Sequence, residues 1–455
     1  MRKTFVFLLS FVLFAYSGGI FANTTTNSVY LGQETCSPCE EIGELTADPC
    51  SAVDCDPCNS ISCDSWKTFN PFKSKRHRRS FFDNIEVSGW IQGGVYANSR
   101  GTTVTRTKGS NYKGREVTQF DETSGNGNLL STVHSTDFQV NQVWLGVKKE
   151  ADGKHGLDWG FAVEGFFGTE PWYAQSANDA KFDYGWQDGD YYTAIPQLYA
   201  QLAYGDISVK LGKFETIVGY EASHAPDFFF FSHSYVFTME PSTHSGAFFE
   251  YAPNDKLSLG AGYVAGADSS PENVYDDHGF IGTISYQLTD KLNLSYAMMY
   301  NRNGYGAYRD WGDVEQNRYG LSGTNVYLHT FAANYDISDK WHYVFQWNYN
   351  EIKTRNDNDN RVFMYGIVNY LTYQLNDRLG VGFRAEWGNL NNIFGYGTDL
   401  SEYTLCVNWK PYSNISIRPE IRYDYSANKN AGEKPFNYGK NRDQFSGGVT
   451  GVVSF

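Results

Sequence analysis

A seven-residue phrase occurs four times and limits the fold more than any other feature of the chain: Tyr, three residues, Asp, Lys or Arg, then a large apolar residue. The copies are Tyr251–Leu257, Tyr286–Leu292, Tyr335–Trp341 and Tyr373–Leu379. Each joins two stretches in which apolar and polar residues alternate, so each predicts a tight hairpin turn with an aromatic residue just before it. Beyond every copy the chain runs on for about ten residues, passes through a longer polar loop rich in Gly, Asn and Asp, and returns. Short turns alternating with long loops predict an all-β, antiparallel, up-and-down barrel that crosses a membrane.

The N-terminus reads as an export signal over residues 1–22: Arg2 and Lys3, an apolar core at Phe5–Phe14, then small residues with a cut after Ala22. That core is too short to span as a helix, and no later segment offers the ~20 apolar residues a spanning helix needs. A mean hydropathy of -0.49 does not oppose a barrel, whose wall shows its apolar face at alternate positions only. Aromatic residues make up 17% of the chain, with 34 Tyr and 32 Phe; Tyr and Trp suit a membrane interface because one end is apolar and the other wet. A formal charge of -14 speaks against nucleic acid as a partner.

Residues 23–80 form a separate segment, expected in the periplasm. It holds six cysteines, Cys36, Cys39, Cys50, Cys55, Cys58 and Cys63. No His interleaves them, so disulfides are favoured over a zinc clip. The basic run Lys73–Arg79 follows, a solvated linker or a contact to acidic lipid or cell-wall polymer.

The barrel itself is expected over residues 81–455. Outbound strands fall near 85–96, 156–167, 206–213, 256–265, 291–301, 341–351, 378–388 and 413–425. Returning strands fall near 138–149, 197–204, 243–252, 279–288, 325–337, 361–375, 401–410 and 443–455. The count is about sixteen, with 14–18 as the range, and the weakest strands are those meeting at Gly205–Asp206 and the one holding Pro419. The pleat is clear in 378–388, where Leu379, Val381, Phe383, Ala385 and Trp387 share one face and Arg378, Gly380, Gly382, Arg384 and Glu386 the other. The final strand puts Phe445, Val449, Val453 and Phe455 on one face. A closing amphipathic strand with a terminal Phe resembles the assembly signal of bacterial outer-membrane proteins, which implies contact with outer-membrane lipid and the assembly machinery.

One long connection departs from the polar pattern. It contains Leu211-Gly212-Lys213-Phe214, Gly219-Tyr220-Glu221, an aromatic run before Ser232, Ser234-Tyr235, Glu240-Pro241 and Thr243-His244-Ser245-Gly246. In that order these pieces resemble the OmpL-like β-barrel porin-2 family, a likeness that extends more loosely over 85–455 and leaves the Cys-rich segment uncovered. The resemblance implies a bacterial outer-membrane porin passing ions and small polar solutes, with no cofactor and no reaction. A homotrimer follows only by analogy with general porins. As the third outside loop, residues 214–242 are expected to fold inward and narrow the lumen. Phe228, Phe229, Phe230 and Phe231 would anchor the loop, since four exposed Phe would cost solubility. Its acids Glu215, Glu221, Asp227 and Glu240 would line the pore opposite a basic wall of Arg378, Arg384, Arg418 and Arg422, giving either a transverse field or ordinary lumen ion pairs. The other class of reading is a plugged, non-conducting structural or adhesive barrel tethered by its Cys-rich segment.

Catalysis and metal binding are weaker readings. Ser232 with His224 or His233 and Asp227 can be drawn as a triad, but no nucleophile motif appears. His224, His233 and His244 have no standard metal spacing. Cys406, mid-strand on the apparent lumen face, reads as an inert thiol.

Overall fold

A computed structural model describes residues 84–455 apart from 101–105, 111–115, 121–137, 177–181, 184, 189–190, 273–277, 303–324, 354–360, 391–398, 428–433 and 438–439. The export signal over 1–22, the six N-terminal cysteines and the basic run therefore lie outside the described residues.

Sixteen long strands follow one another: β1 Glu86–Asn98, β2 Phe138–Lys149, β3 Asp158–Gly168, β4 Tyr191–Tyr204, β5 Ile207–Glu215, β6 Thr243–Asn254, β7 Leu257–Ala267 and β8 His278–Thr289. The second half comprises β9 Leu292–Arg302, β10 Asn325–Asp336, β11 Trp341–Lys353, β12 Arg361–Asn376, β13 Leu379–Leu390, β14 Asp399–Tyr412, β15 Ile415–Ser426 and β16 Asp443–Ser454. Each pairs antiparallel with its neighbours in sequence, and β16 returns to pair with β1 from Trp90↔Ser454 to Asn98↔Ser446. Closure leaves no edge to template aggregation or to lie unpaired in lipid. A two-residue strand, Gln187–Asp188, adds to β4, and a separate hairpin pairs Arg106–Ser110 with Glu116–Phe120.

The repeated phrase is the turn of four hairpins, and its fourth residue explains its form. That residue is Asn254, Thr289, Ser338 or Asn376. In each copy its side-chain oxygen accepts the backbone N–H of the Lys or Arg two positions on, Lys256, Lys291, Lys340 or Arg378, at 2.9, 3.2, 3.4 and 3.0 Å. These are Asx and Ser/Thr turns, in which a short polar side chain replaces a backbone acceptor. The outward Tyr251, Tyr286 and Trp341 beside the turns are exposed, which places a ring of amphipathic side chains at this rim.

Alternation sorts the wall. On β13 to β15 the outward Phe383, Leu405 and Ile421 are 44, 49 and 61% exposed, while the inward Arg384, Glu402 and Arg418 are 0, 0 and 1%. On β16 the outward Phe445, Val449 and Val453 are likewise exposed and Gln444 and Thr450 buried. Two prolines mark local departures. β4 starts six residues before the expected position 197, at Tyr191, and its ladder with β3 shifts register beside Pro196. There Ile195 donates instead to Asp183 at 2.9 Å. Pro419 points outward where the β14–β15 ladder pairs Cys406 with Glu420 and Trp409 with Ile417 but skips the proline.

At the seam Phe455 and Gly89 exchange both backbone hydrogen bonds, at 2.9 and 3.1 Å. A Cβ on Gly89 would lie 2.6 Å from the Phe455 ring and from the Trp144 carbonyl. Deleting Phe455, or making Gly89→Val, is expected to lower the urea midpoint of the refolded barrel by about 1–3 kcal/mol of stability, read from heat-modifiable gel mobility.

Candidate pore constriction

The connection between β5 and β6, residues 216–242, lies inside the barrel. Gly219 (φ 91°) starts it, in a backbone region that suits glycine, and a Cβ there would collide with the Glu240 carboxylate. Short 3-10 turns at Ala225–Asp227 and Val236–Met239 bracket the central stretch.

That stretch is held chiefly through its backbone. Arg384 on β13 donates to the carbonyls of Ser232 and His233, the latter at 3.2 Å. Arg418 on β15 donates to the carbonyls of Ala225, Phe228 and Phe230 at 2.9, 2.8 and 3.2 Å. Arg422 reaches the His233 carbonyl at 2.5 Å. The backbone N–H groups are taken by acids: Tyr235 and Val236 donate to Glu386 at 2.7 and 2.5 Å, and Phe231 and Ser232 to Glu420 at 2.8 and 3.2 Å. Arg384 also pairs with Glu402, and Arg422 with Asp424 at 2.8 Å. Hydrogen bonds with one charged partner are roughly twice as strong as neutral ones. These backbone groups, which would be costly to bury unpaired, are thereby satisfied.

Apolar contacts complete the seat. Phe228, Phe230 and Phe231 are buried and Phe229 is partly so. Gly382 and Gly380 on β13 leave the room that Phe229 uses, since a Cβ at Gly382 would lie 2.5 Å from its ring. Phe231 packs against Tyr96 with ring centroids 5.3 Å apart.

The acids expected on the loop are dispersed. Glu221 is buried, 2.7 Å from the His233 ring and 3.7 Å from Arg384, and accepts from Tyr370 at 2.6 Å and from the Ser234 N–H at 3.0 Å. Burial alone would raise its carboxyl; the His233 hydrogen bond and the Arg384 charge outweigh that and hold it down to about 2. Glu240 accepts from Gln346 and Asn348 at 2.5 and 2.6 Å, and burial pushes its carboxyl well above the usual range. Glu215 and Asp227 both flank His224 instead. Of the four arginines, Arg378 differs from expectation. It lies exposed in the β12–β13 turn, apart from the cluster, because the strand begins only at Leu379. The other three touch the loop itself, so they and the loop acids do not face each other across open space.

His224, His233 and His244 sit apart, each with its own protein contacts; His244 contacts Thr216 at 3.1 Å. Ser232 Oγ lies against Arg384 Nη2 and Arg422 Nη1 at 3.0 and 3.4 Å, not against a histidine. Cys406 is buried as a free thiol, 3.7 Å from the Phe229 carbonyl.

Glu402, Glu420 and Asp424 were not singled out from the sequence, although a signal exists. Arg418, Glu420, Arg422 and Asp424 recur every second residue and so share one strand face. A charged run at period two inside an apolar-out strand places those charges on the lumen face, where they meet the loop.

A closed sixteen-strand barrel with an apolar outer surface, an interior charged along β13 to β15 and an infolded loop defines an outer-membrane porin of bacteria. This chain belongs to the family described as "Putative beta-barrel porin-2, OmpL-like", whose profile matches residues 84–455. Its fold is similar to that of an anion-selective porin from Comamonas acidovorans, at 12% identity and TM-score 0.51 over 82% of this chain and 99% of that one. It is also similar to OmpT, an outer-membrane protein of Vibrio cholerae in its trimer form, at 12% identity and TM-score 0.50 over 82% and 99%. No curated protein matches in sequence.

Arg384→Ala is expected to cost about 3–5 kcal/mol, because buried Glu402 would lose its nearest cation and keep only Arg422 at 3.9 Å; pairing it with Glu402→Leu should recover part of that in the urea midpoint. The carboxyl of Glu221 falls from the usual 4.5 to about 2 on folding, which is on the order of 3 kcal/mol. A depressed pKa stabilises above the unfolded value and is lost as pH falls through the folded one. Stability should therefore drop between about pH 4.5 and 2, and Glu221→Gln should remove that part of the acid transition.

Proposed function

We propose that this porin is a passive diffusion channel for ions and small polar solutes, narrowed by residues 216–242. The observation that carries the reading is the docking of that loop on β13 and β15 by charged side chains, which gives it a fixed seat inside the barrel. Permeation of this kind needs no bond breaking, so the protein works without catalysis and without a cofactor. Glu221 and Asp227 on the loop, Glu215 at its start and Arg384, Arg418 and Arg422 on the wall set the local potential near the constriction as a compensated array of ion pairs, with Glu240 contributing as a buried hydrogen-bonding carboxyl. A homotrimer in outer-membrane lipid is the assembly we favour, supported by the trimer form of the Vibrio cholerae neighbour.

A second reading has its own observation. The inward faces of β7 to β12 carry Val264, Ile281, Met299, Leu328, Val344 and Val368, all buried in one apolar cluster with Val218, Val236 and Met239 of the loop. A lumen filled this way would make a plugged structural barrel. Planar bilayers separate the two. For the channel, the refolded protein should show discrete conductance steps, and deleting 222–238 should enlarge them severalfold. A silent wild type with a conducting deletion variant would instead favour the plug.

A further inference from the structure

Lys213 belongs to the Leu211-Gly212-Lys213-Phe214 piece that leads into the third loop, yet it is fastened to a different connection, the one between β3 and β4. It is fully buried, and so is Asp183, whose carboxylate lies 3.3 Å from Lys213 Nζ. The same ammonium donates to Ser176 Oγ at 2.8 Å and to the Ala174 carbonyl at 3.4 Å, and it sits 5.3 Å from the centre of the Phe182 ring. Its three N–H donors thus gather a hydroxyl, a carbonyl and an acid of one segment. Asp183 is also held by backbone: the Ser176 N–H donates to Oδ1 at 2.8 Å, and the Ile195 N–H of β4 to Oδ2 at 2.9 Å. A buried ion pair offsets its desolvation only with good geometry and further hydrogen bonds, and both partners have them here. Residues 174–176 therefore have a fixed place beside β4 and β5.

The stretch just before them reaches the third loop. Tyr173 is buried in an apolar cluster with Trp90, Trp144 and Phe166 of the wall, and the same cluster takes in Ala225 and Phe237 of the loop. The Tyr173 ring stands edge-on to Phe237 and to His233, with centroids 5.7 and 6.1 Å away. Its hydroxyl donates to the Ser223 carbonyl at 3.3 Å. Gln142 on β2 ties the two connections at the same point: its Nε2 lies 2.9 Å from the Ser223 carbonyl, 3.2 Å from the Tyr173 hydroxyl and 2.6 Å from the Glu170 carboxylate. This cluster is separate from the one that holds Phe228, Phe230, Val236 and Met239. The loop therefore has two seats. β13 and β15 bond backbone groups between Ala225 and Val236, and the β3–β4 connection bears on Ser223, His233 and Phe237.

We infer that Lys213 is a positioning residue for the pore, an inference that rests on the constriction reading above. Lys213 fixes the β3–β4 connection, and that connection, through Tyr173, sets where the Ser223 end of the loop stands in the lumen. The constriction is then built by two connections, and the second is controlled from β5 by one buried ion pair. Breaking that pair loosens residues 170–176 and the Ser223 end of the loop, while Arg384, Arg422, Glu386 and Glu420 keep residues 231–236 in place.

Hydrogen exchange of the refolded full chain in detergent tests this without needing a conducting pore. In Lys213→Met the amides of 170–176 and 222–226 should exchange about tenfold faster or more, with 231–236 and β13 to β15 unchanged. Lys213→Arg, which keeps the charge, should restore most of the protection, and Lys213→Met with Asp183→Asn should fall between Lys213→Met and the wild type. Unchanged exchange at either segment, or loss spread evenly over the barrel, overturns the inference. Tyr173→Ala cuts the link itself and serves should Lys213→Met fail to assemble: it should loosen 222–226 and leave the Ile195 amide protected, and protection kept at 222–226 overturns the inference there too. In planar bilayers Lys213→Met should then alter the conductance step or its ion preference. A conducting wild type whose step and preference Lys213→Met leaves unchanged overturns the pore role, whereas a silent wild type overturns the channel reading and leaves the exchange result to decide the link between the two connections.

Discussion

The structure depends on how a strand wall satisfies the backbone of a loop that has left water. Residues 228–235 form neither helix nor sheet with the barrel, yet most of them are buried. Each buried N–H and C=O would cost about 1–3 kcal/mol unpaired. Arginines take the carbonyls and glutamates take the N–H groups, and the two kinds of side chain alternate along β13 and β15. Because consecutive lumen positions on one strand are two residues apart and adjacent strands lie about 5 Å apart, such a ladder can follow an irregular chain with donors and acceptors in turn. Here the wall reads backbone, so the loop's course is set more by the strands than by the loop's own side chains.

This arrangement also explains the glycines and aromatics. A loop bound by its backbone still has to place four consecutive Phe. Gly380 and Gly382 lie beneath Phe229, with Gly382 also beneath Phe230, while Gly366 lies beneath Val236. Removing three side chains from the wall makes space where the loop inserts its own. His233 fits the same logic: its ring is stacked between Phe228 and Phe237 and hydrogen-bonds Glu221, so a polar group is buried only where aromatic faces and a carboxylate receive it. These charges bond the loop's backbone and one another, which is the ion-paired one of the two arrangements expected.

The periodic features were legible from the chain. The turn phrase located four of the short hairpins, and the alternation placed Arg384, Arg418 and Arg422 on the inner face and Phe445, Val449 and Val453 on the outer one. The function of the fourth residue in each phrase, an Asn, Thr or Ser capping the turn, became evident only from its hydrogen bond. Arg378 shows the limit of phase alone. It continues the inward phase of β13, but the chain is already turning there, and one residue past a strand end the period no longer says where a side chain points.

By itself the sequence determined the class of fold, a strand count of about sixteen, the third loop's place between β5 and β6 and its unusual apolar content. Those follow from local period and turn chemistry, which act between residues close in the chain. Only the tertiary structure decided which groups meet: Arg418 with the carbonyl of Phe228, Glu386 with the N–H of Tyr235, and His224 with Trp90, Trp144 and Glu164. These partners are 60 to 190 positions apart in sequence. Barrel closure and the register of every ladder fix their separation, and no short-range pattern carries that information. The four Tyr-to-Asp-Lys/Arg turns set the frame, and the chemistry sits where the third loop is held inside it.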